Sequence, residues 1–268
     1  MTIALLLSAP VWAKDTIYYK RVRKENFNAA EYERRSYSLG LLRLALEASK
    51  AEYGDYLLLP KKVPSRGKRL HWALANKAGL DVMWATPMAQ FRQQTKTIPI
   101  DLLRGRGGIM VLITKKHRLS EFSELTTLGK LAPYKLGIGY KSNKKHQFEG
   151  LGLTLLFSKS RKSALINLNK GYYDFVPAEL SGTESILRQN PNLAVLPHRV
   201  FLRDKTSNFH VHKDNIKLYN RIKKGLEILE ETGKFEQYFI NHPMMQAYFT
   251  YDADNALVLH DFSQNTKF

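Results

Sequence analysis

The sequence predicts an α/β protein of two doubly wound lobes, joined by two segments that cross between them. Three observations carry this. Residues 16–85 alternate strand, helix, strand, helix, strand, and such alternation implies right-handed crossovers around a mostly parallel sheet. The pattern starts again after "GGIMVLITK", residues 107–115. One phrase also occurs twice, as "NKAGLDVMWA" at 76–85 and "NKGYYDFVPA" at 169–178. Each reads as a helix end, a glycine turn, an Asp and an apolar strand closing on Ala.

The elements follow in order. "TIYYKRV", 16–22, reads as a first strand. Leu39, Leu42, Ala45 and Leu46 then fall at helical spacing, with Ser36 or Ser38 as cap and Gly54 as the stop. "DYLLLPKKV" is a second strand. "SRGKRLHWALANKAG" is a second helix with Gly79 at its C-terminus, and "LDVMWA" is a strand apolar on both faces, the pattern of a central strand. "GGIMVLITK" is a strand and a candidate crossing. The second lobe then takes a short helix and strand from "TTLGKLAPYKLGIGY", a helix from "SRKSALINLNKG", a strand from "YYDFVPA", a helix from "TESILRQNP" and a strand from "LAVLPH". "NFHVHK" alternates like a strand returning to the first lobe. A long amphipathic helix, opened by Asp214 or Asn215 and closed by Gly233, leads into "KFEQYFI". From Met244 the tail has no clear period.

Composition narrows the function classes. The chain has 268 residues, 44% of them hydrophobic and 11% aromatic, enough to build real cores. It has no Cys, which removes disulfides, thiolate metal sites and Cys nucleophiles. The first thirteen residues, "MTIALLLSAPVWA", carry no charge. Val11 and Ala13 stand where a signal peptidase expects small residues, so residues 1–13 are expected to be a signal peptide cleaved before Lys14 and the mature protein to be periplasmic. The net charge of +18 is spread over short pairs such as 61–62, 115–116, 144–145 and 223–224, the pattern of a solvated surface more than of a nucleic-acid groove. The charge pattern thus argues against nucleic acid as a partner, and the mature chain is expected to be a monomer.

Sequence signatures of catalysis are missing. There is no G-x-S-x-G, H-E-x-x-H or P-loop pattern. "GRGGIM" precedes a strand instead of opening a helix, so it is no dinucleotide fingerprint. His210 and His212 share a strand face, but two ligands without a third do not make a metal site. No cofactor, no metal and no enzymatic activity are expected. The lobes are expected to be 14–108 with 204–268, and 109–203.

Ligands of open parallel sheets bind beyond the carboxyl ends of the strands. The residues after Asp81 and Asp174 are therefore the binding candidates, while the two Asp are expected to satisfy turn backbone groups. "YSLGLLRLALEAS", "LANKAGLDVMWATPMAQFR", "IPIDLLRGRGGIMVLITK", "LINLNKGYYDFVPAELSGTE" and "IKKGLEILEETGKFEQYF" in this order resemble a bacterial periplasmic solute-binding protein of the two-lobed type II, the amino-acid-binding family of ABC transporters. The resemblance covers most of residues 16–240. It implies lobes that close on a small polar solute, read by a membrane permease or a sensor protein. It implies that Thr86 and Arg92 hold a ligand carboxylate, at a spacing a few residues longer than the family's usual one. It implies that Glu179, or Glu184 if the loop is extended, holds an amino group. Tyr18 and Trp84 are candidate stacking partners. The loop opened by Tyr140, with Lys141, Lys144 and Lys145, is a candidate for attracting an anion.

Overall fold

The computed structural model describes residues 15–21, 36–63, 67–140, 145–203, 205–252 and 255–265. The apolar N-terminal run and its expected cleavage site lie outside these, as do Lys141 and Lys144. In chain order the strands are β1 (Asp15–Lys20), β2 (Tyr56–Lys61), β3 (Val82–Ala85), β4 (Thr95–Thr97), β5 (Met110–Lys115), β6 (Lys135–Gly139), β7 (Thr154–Ser158), β8 (Val176–Glu179), β9 (Leu193–Leu202), β10 (Asn208–His212) and β11 (Leu257–Asp261). The helices are α1 (Tyr37–Ala48), α2 (Lys50–Tyr53), α3 (Lys68–Ala75), α4 (Leu128–Leu131), α5 (Lys145–Phe148), α6 (Arg161–Asn169), α7 (Thr183–Gln189), α8 (Ile216–Glu231), α9 (Lys234–Asn241) and α10 (Gln246–Thr250).

These elements form two compact units. Unit one is the chain up to Leu102 together with Ser207–Phe239; unit two is Leu103–Thr206 with the chain from Ile240 on. The sequence boundaries are corrected in two ways. The passages fall at 102–103 and 206–207, a few residues from where they were expected. The tail, expected in the first lobe, belongs to unit two, so the chain passes between units a third time after Phe239. The reason is pairing and burial. β11 adds in parallel to β9, and Leu259 joins the core around Met110, Leu112 and Phe201. The Tyr251 hydroxyl accepts from the Arg199 amide at 2.9 Å and lies 2.9 Å from the Leu196 carbonyl. It thereby holds an irregular stretch of β9 where His198 has φ +56°.

Unit one is a five-stranded sheet in the order β2-β1-β3-β10-β4. β1 is parallel to β2 and β3, while β10 runs antiparallel between β3 and β4. Unit two repeats the plan. Its order β11-β9-β5-β8 continues through β8 to the parallel pair β6-β7, by a parallel bridge between Leu136 and Phe175 and a Gly137 N–H bonded to the Phe175 carbonyl at 2.8 Å. Thus β2-β1-β3-β10 in one unit matches β7-β6-β8-β5 in the other: three parallel strands, then one antiparallel.

The repeated phrase explains the match. Asp81 precedes β3, and its carboxylate accepts the Tyr18 amide of β1 at 2.8 Å. Its own amide donates to the Tyr18 carbonyl at 3.0 Å. Asp174 precedes β8 and treats Lys135 of β6 alike, at 2.8 and 2.9 Å. The expectation that these Asp serve backbone groups holds for both. The glycine of each phrase has positive φ, +74° at Gly79 and +84° at Gly171, a conformation costly for any residue with a Cβ. Gly79 is not itself the helix cap: α3 ends at Ala75, and Gly79 turns the chain into β3.

The core of unit one is built on two amphipathic helices. α1 buries Tyr37, Leu39, Leu41, Leu42, Ala45 and Leu46. α8, capped by Asn215 Oδ1 accepting from the Leu218 amide at 3.3 Å, buries Leu218, Ile222, Leu226 and Leu229. Each such side chain contributes about 1.5–3 kcal/mol by leaving water. The helices touch at Gly225, where a Cβ would collide with the Ala45 carbonyl. Arg221, 0% exposed, reaches Asp15 at 3.2 Å and the Gly54 carbonyl at 2.6 Å. It packs over the Tyr56 ring at 5.1 Å. A buried cation needs such partners, because its desolvation is otherwise uncompensated. Among the described residues no helix is long and apolar enough to cross a membrane.

Candidate functional site

In unit one the strand β3 ends at Ala85 and delivers Thr86, exposed, into the stretch that forms a short turn at Ala89–Phe91. Arg92 follows, also exposed. Thr86 thus directly follows the strand, and Arg92 lies beyond the turn that comes after it. Trp84 sits half-buried in β3, edge-on to Phe209 of β10 at 6.3 Å, its partner in the strand register. Tyr18 stands apart. It is bonded to Asp81 at the start of β3, five residues before Thr86, or roughly 15 Å along a strand at about 3.3 Å per residue. The Lys61 ammonium lies over its ring at 4.9 Å. The structure does not bring Tyr18 to Thr86.

The end of β3 rests on two buried histidines that the sequence reading did not connect. His210 of β10 is 1% exposed and His71 of α3 is 2% exposed; their rings stand 5.5 Å apart, edge to face. His210 Nε2 lies 3.0 Å from the Ala85 carbonyl, which can only accept, so Nε2 carries the proton. Nδ1 then accepts from the Thr97 hydroxyl at 3.0 Å. With both nitrogens occupied by protein, His210 is no metal ligand here; among the described residues no cluster fit for a metal occurs. His71 bonds the Thr86 backbone and stacks on Phe91 at 5.5 Å. Burial first, and His210 second, push its pKa down to about 4. Burial lowers that of His210 too. Two neutral imidazoles thus fix the backbone from which Thr86 and Arg92 project.

At the other end of the same sheet, a cavity of about 300 Å³ is lined by Lys77, Gly79, Leu80, Asp81, His212, Asp214 and Asn215. It adjoins the start of β3, so it is separate from Thr86 and Arg92.

In unit two, β6, β7 and β8 are parallel neighbours. Their carboxyl ends, at Gly139, Ser158 and Glu179, share one edge. Tyr140 follows β6 and is 62% exposed. It meets Phe157 edge-on at 6.5 Å, and the Lys145 ammonium lies 5.1 Å from the Tyr140 ring and 5.3 Å from Phe157. Phe157 completes a group of which the sequence showed Tyr140 and Lys145. Glu179 closes β8, half-buried. Its Oε1 accepts from Arg203 Nη2 and its Oε2 from Lys205 Nζ at 2.8 Å. Glu184 is exposed in the first turn of α7, where the helix dipole favours an acid, and pairs with Arg188 at 3.7 Å. Glu179 and not Glu184 therefore sits at the strand end.

The partners of Glu179 arrive on the stretch after β9. A Cβ at Gly108 would collide with the Arg203 carbonyl, and one at Gly107 with that of Lys205. This gives "GRGGIM" its role: the glycines let two backbone stretches lie against each other. The signal for the cations was visible in "FLRDKTSN", charges placed directly after an apolar strand.

No protein-family model and no curated protein sequence matches the chain. Solved structures do. The second substrate-binding domain of Lactococcus lactis GlnP, in an open conformation, is similar over 87% of this chain and 97% of that one, with a TM-score of 0.59 and 14% identity. The second substrate-binding domain of an amino acid ABC transporter from Streptococcus pneumoniae is similar over 85% and 99%, with a TM-score of 0.58 and 14% identity. A Salmonella typhimurium periplasmic binding protein described as highly specific for arginine is similar over 84% and 97%, at 0.54 and 15%. At such identities the likeness is one of fold. This chain has the fold of the substrate-binding proteins of amino acid ABC transporters, as its sequence order implied.

Proposed function

We propose that the protein is an exported, non-catalytic solute-binding protein that delivers a small carboxylate-bearing solute to an ABC transporter. The observation that carries the reading is the matched pair of strand edges. Each unit presents the carboxyl ends of three parallel strands, with exposed polar groups at Thr86 and Arg92 in one and aromatic and cationic groups in the other. In this reading Arg92 supplies a planar fork of donors suited to a carboxylate, Thr86 adds a hydroxyl, and Trp84 stands beside them at the end of the same strand. Among the described residues the Arg92 guanidinium makes no ion pair, so it is available to a ligand. Binding then favours whichever conformation the ligand contacts best.

A thermal-shift panel of amino acids, polyamines, dicarboxylates, sugars and nucleotides, at low and moderate salt, tests this. A ligand at a hundredfold its dissociation constant adds about 2.7 kcal/mol of stability. The expected result is a salt-resistant shift from one chemical class that Arg92→Ala removes without altering the unliganded melting temperature. Shifts only from polyanions, lost in moderate salt, would sink the reading.

A further inference from the structure

The acid that the family resemblance assigns to a ligand amino group is already spent. Glu179 has one carboxylate oxygen on Arg203 and the other on Lys205. All three side chains are largely sheltered, at 32%, 14% and 26% exposure. The cations are not loosely placed, since their backbone lies against Gly107 and Gly108. One carboxylate thus faces two fixed cations, and the group has a net positive charge. Arg203 also has a buried Nε with no hydrogen-bond partner among the described residues. Asp204 lies outside the described residues. The same edge carries Lys145 over Tyr140 and Phe157, with Glu149 at 3.5 Å as its counter-charge.

Such an edge discriminates by charge. An ammonium reaching Glu179 must displace a cation already bonded there and remain beside it, and like charges side by side repel. A carboxylate meets the opposite situation. A guanidinium has five N–H donors, and among the described residues Arg203 is seen to spend one on Glu179. Charge-assisted bonds to its remaining donors are stronger than neutral ones.

We propose that the solute taken by this strand edge is an anion without an ammonium group, a di- or tricarboxylate, and that Glu179 serves the chain's own Arg203 and Lys205 instead of the ligand. This rests on the solute-binding reading above and narrows its ligand class. Arg203 and Lys205 are then the contacts, held in place by their backbone against Gly107 and Gly108, and Glu179 touches no part of the solute.

Isothermal titration calorimetry on the full chain tests it with four probes: succinate, citrate, L-glutamine and L-arginine. The expected result is heat from a carboxylate probe and none from either amino acid. Glu179→Gln keeps the carboxylate affinity within about tenfold, a difference of about 1.4 kcal/mol, and gains no amino acid binding. Arg203→Met weakens the carboxylate by more than that factor. Melting curves establish that each variant is folded, and the wild-type selectivity stands as a test even if one is not. Binding of L-glutamine or L-arginine that Glu179→Gln abolishes overturns the inference and leaves the solute-binding reading intact. Heat from none of the four overturns the inference; silence across the wider thermal-shift panel as well overturns the solute-binding reading with it.

Discussion

The Asp174 carboxylate accepts the amide of Lys135 at 2.8 Å while its own amide donates to the carbonyl of that residue at 2.9 Å. This closed ring of two bonds fixes where β8 starts relative to β6. Arg118 holds the second carboxylate oxygen at 2.6 Å. Asp81 and Tyr18 form the same ring in the other unit.

Asp174→Ala should therefore destabilise unit two by about 0.5–1.5 kcal/mol, the net worth of a hydrogen bond, because Lys135 is exposed to water and Arg118 keeps Glu121 at 2.9 Å. Asp174→Asn, which keeps one acceptor oxygen, should cost less. Urea unfolding followed by circular dichroism measures both, and equal losses for the two variants would show that charge, not the acceptor, matters.

Gly225→Ala tests the contact of α8 with α1. Helix propensity alone favours alanine by about 1 kcal/mol. The collision with the Ala45 carbonyl should reverse the sign, giving a net loss of about 1–3 kcal/mol as in other overpacked cores. A melting temperature at or above that of the wild type would mean that the helices move apart at no cost.

Arg221→Met keeps the bulk of the side chain and removes its donors. It leaves the Gly54 carbonyl and part of the Asp15 carboxylate unanswered. The expected loss is about 3 kcal/mol, at the lower end for a broken buried pair, because Lys217 still meets Asp15 at 2.9 Å. Chemical denaturation gives the number.

The buried His71 makes acid stability predictable. Its folded pKa is pushed down to about 4 from an ordinary 6.5, so the unfolded chain binds the proton first. Stability from this group is complete above pH 6.5 and is lost as pH falls toward 4. His210, shifted the same way, adds to the effect. Melting temperature against pH should fall through this window in the wild type and more shallowly in His71→Phe. Identical slopes would show that other groups dominate.

The parts legible in the sequence were those fixed locally. "NKAGLDVMWA" and "NKGYYDFVPA" gave away two equivalent strands because a glycine of positive φ and an Asp at one spacing must do the same work in each. The strand ends at Thr86, Tyr140 and Glu179 were legible because apolar runs stop there. What could not be read was lateral. The stagger that pairs Tyr19 with Val82 carries Tyr18 to the wrong end of β3, and nothing in either strand encodes it alone. Arg203 and Lys205 meet Glu179 across more than twenty residues of sequence. The tail hid its membership in unit two because short helical turns and one half-exposed strand leave no period to detect.

The interleaved order of the chain sets a timetable for its birth. Unit one lacks β10, the strand between β3 and β4, until residue 212 has been made, and lacks α8 until residue 231. Unit two waits for β11, which ends at residue 261. Neither half can finish its sheet while most of the chain is still being synthesised. Contacts this distant in sequence also close slowly. The polypeptide thus spends most of its synthesis with both sheets incomplete, their edge groups unpaired.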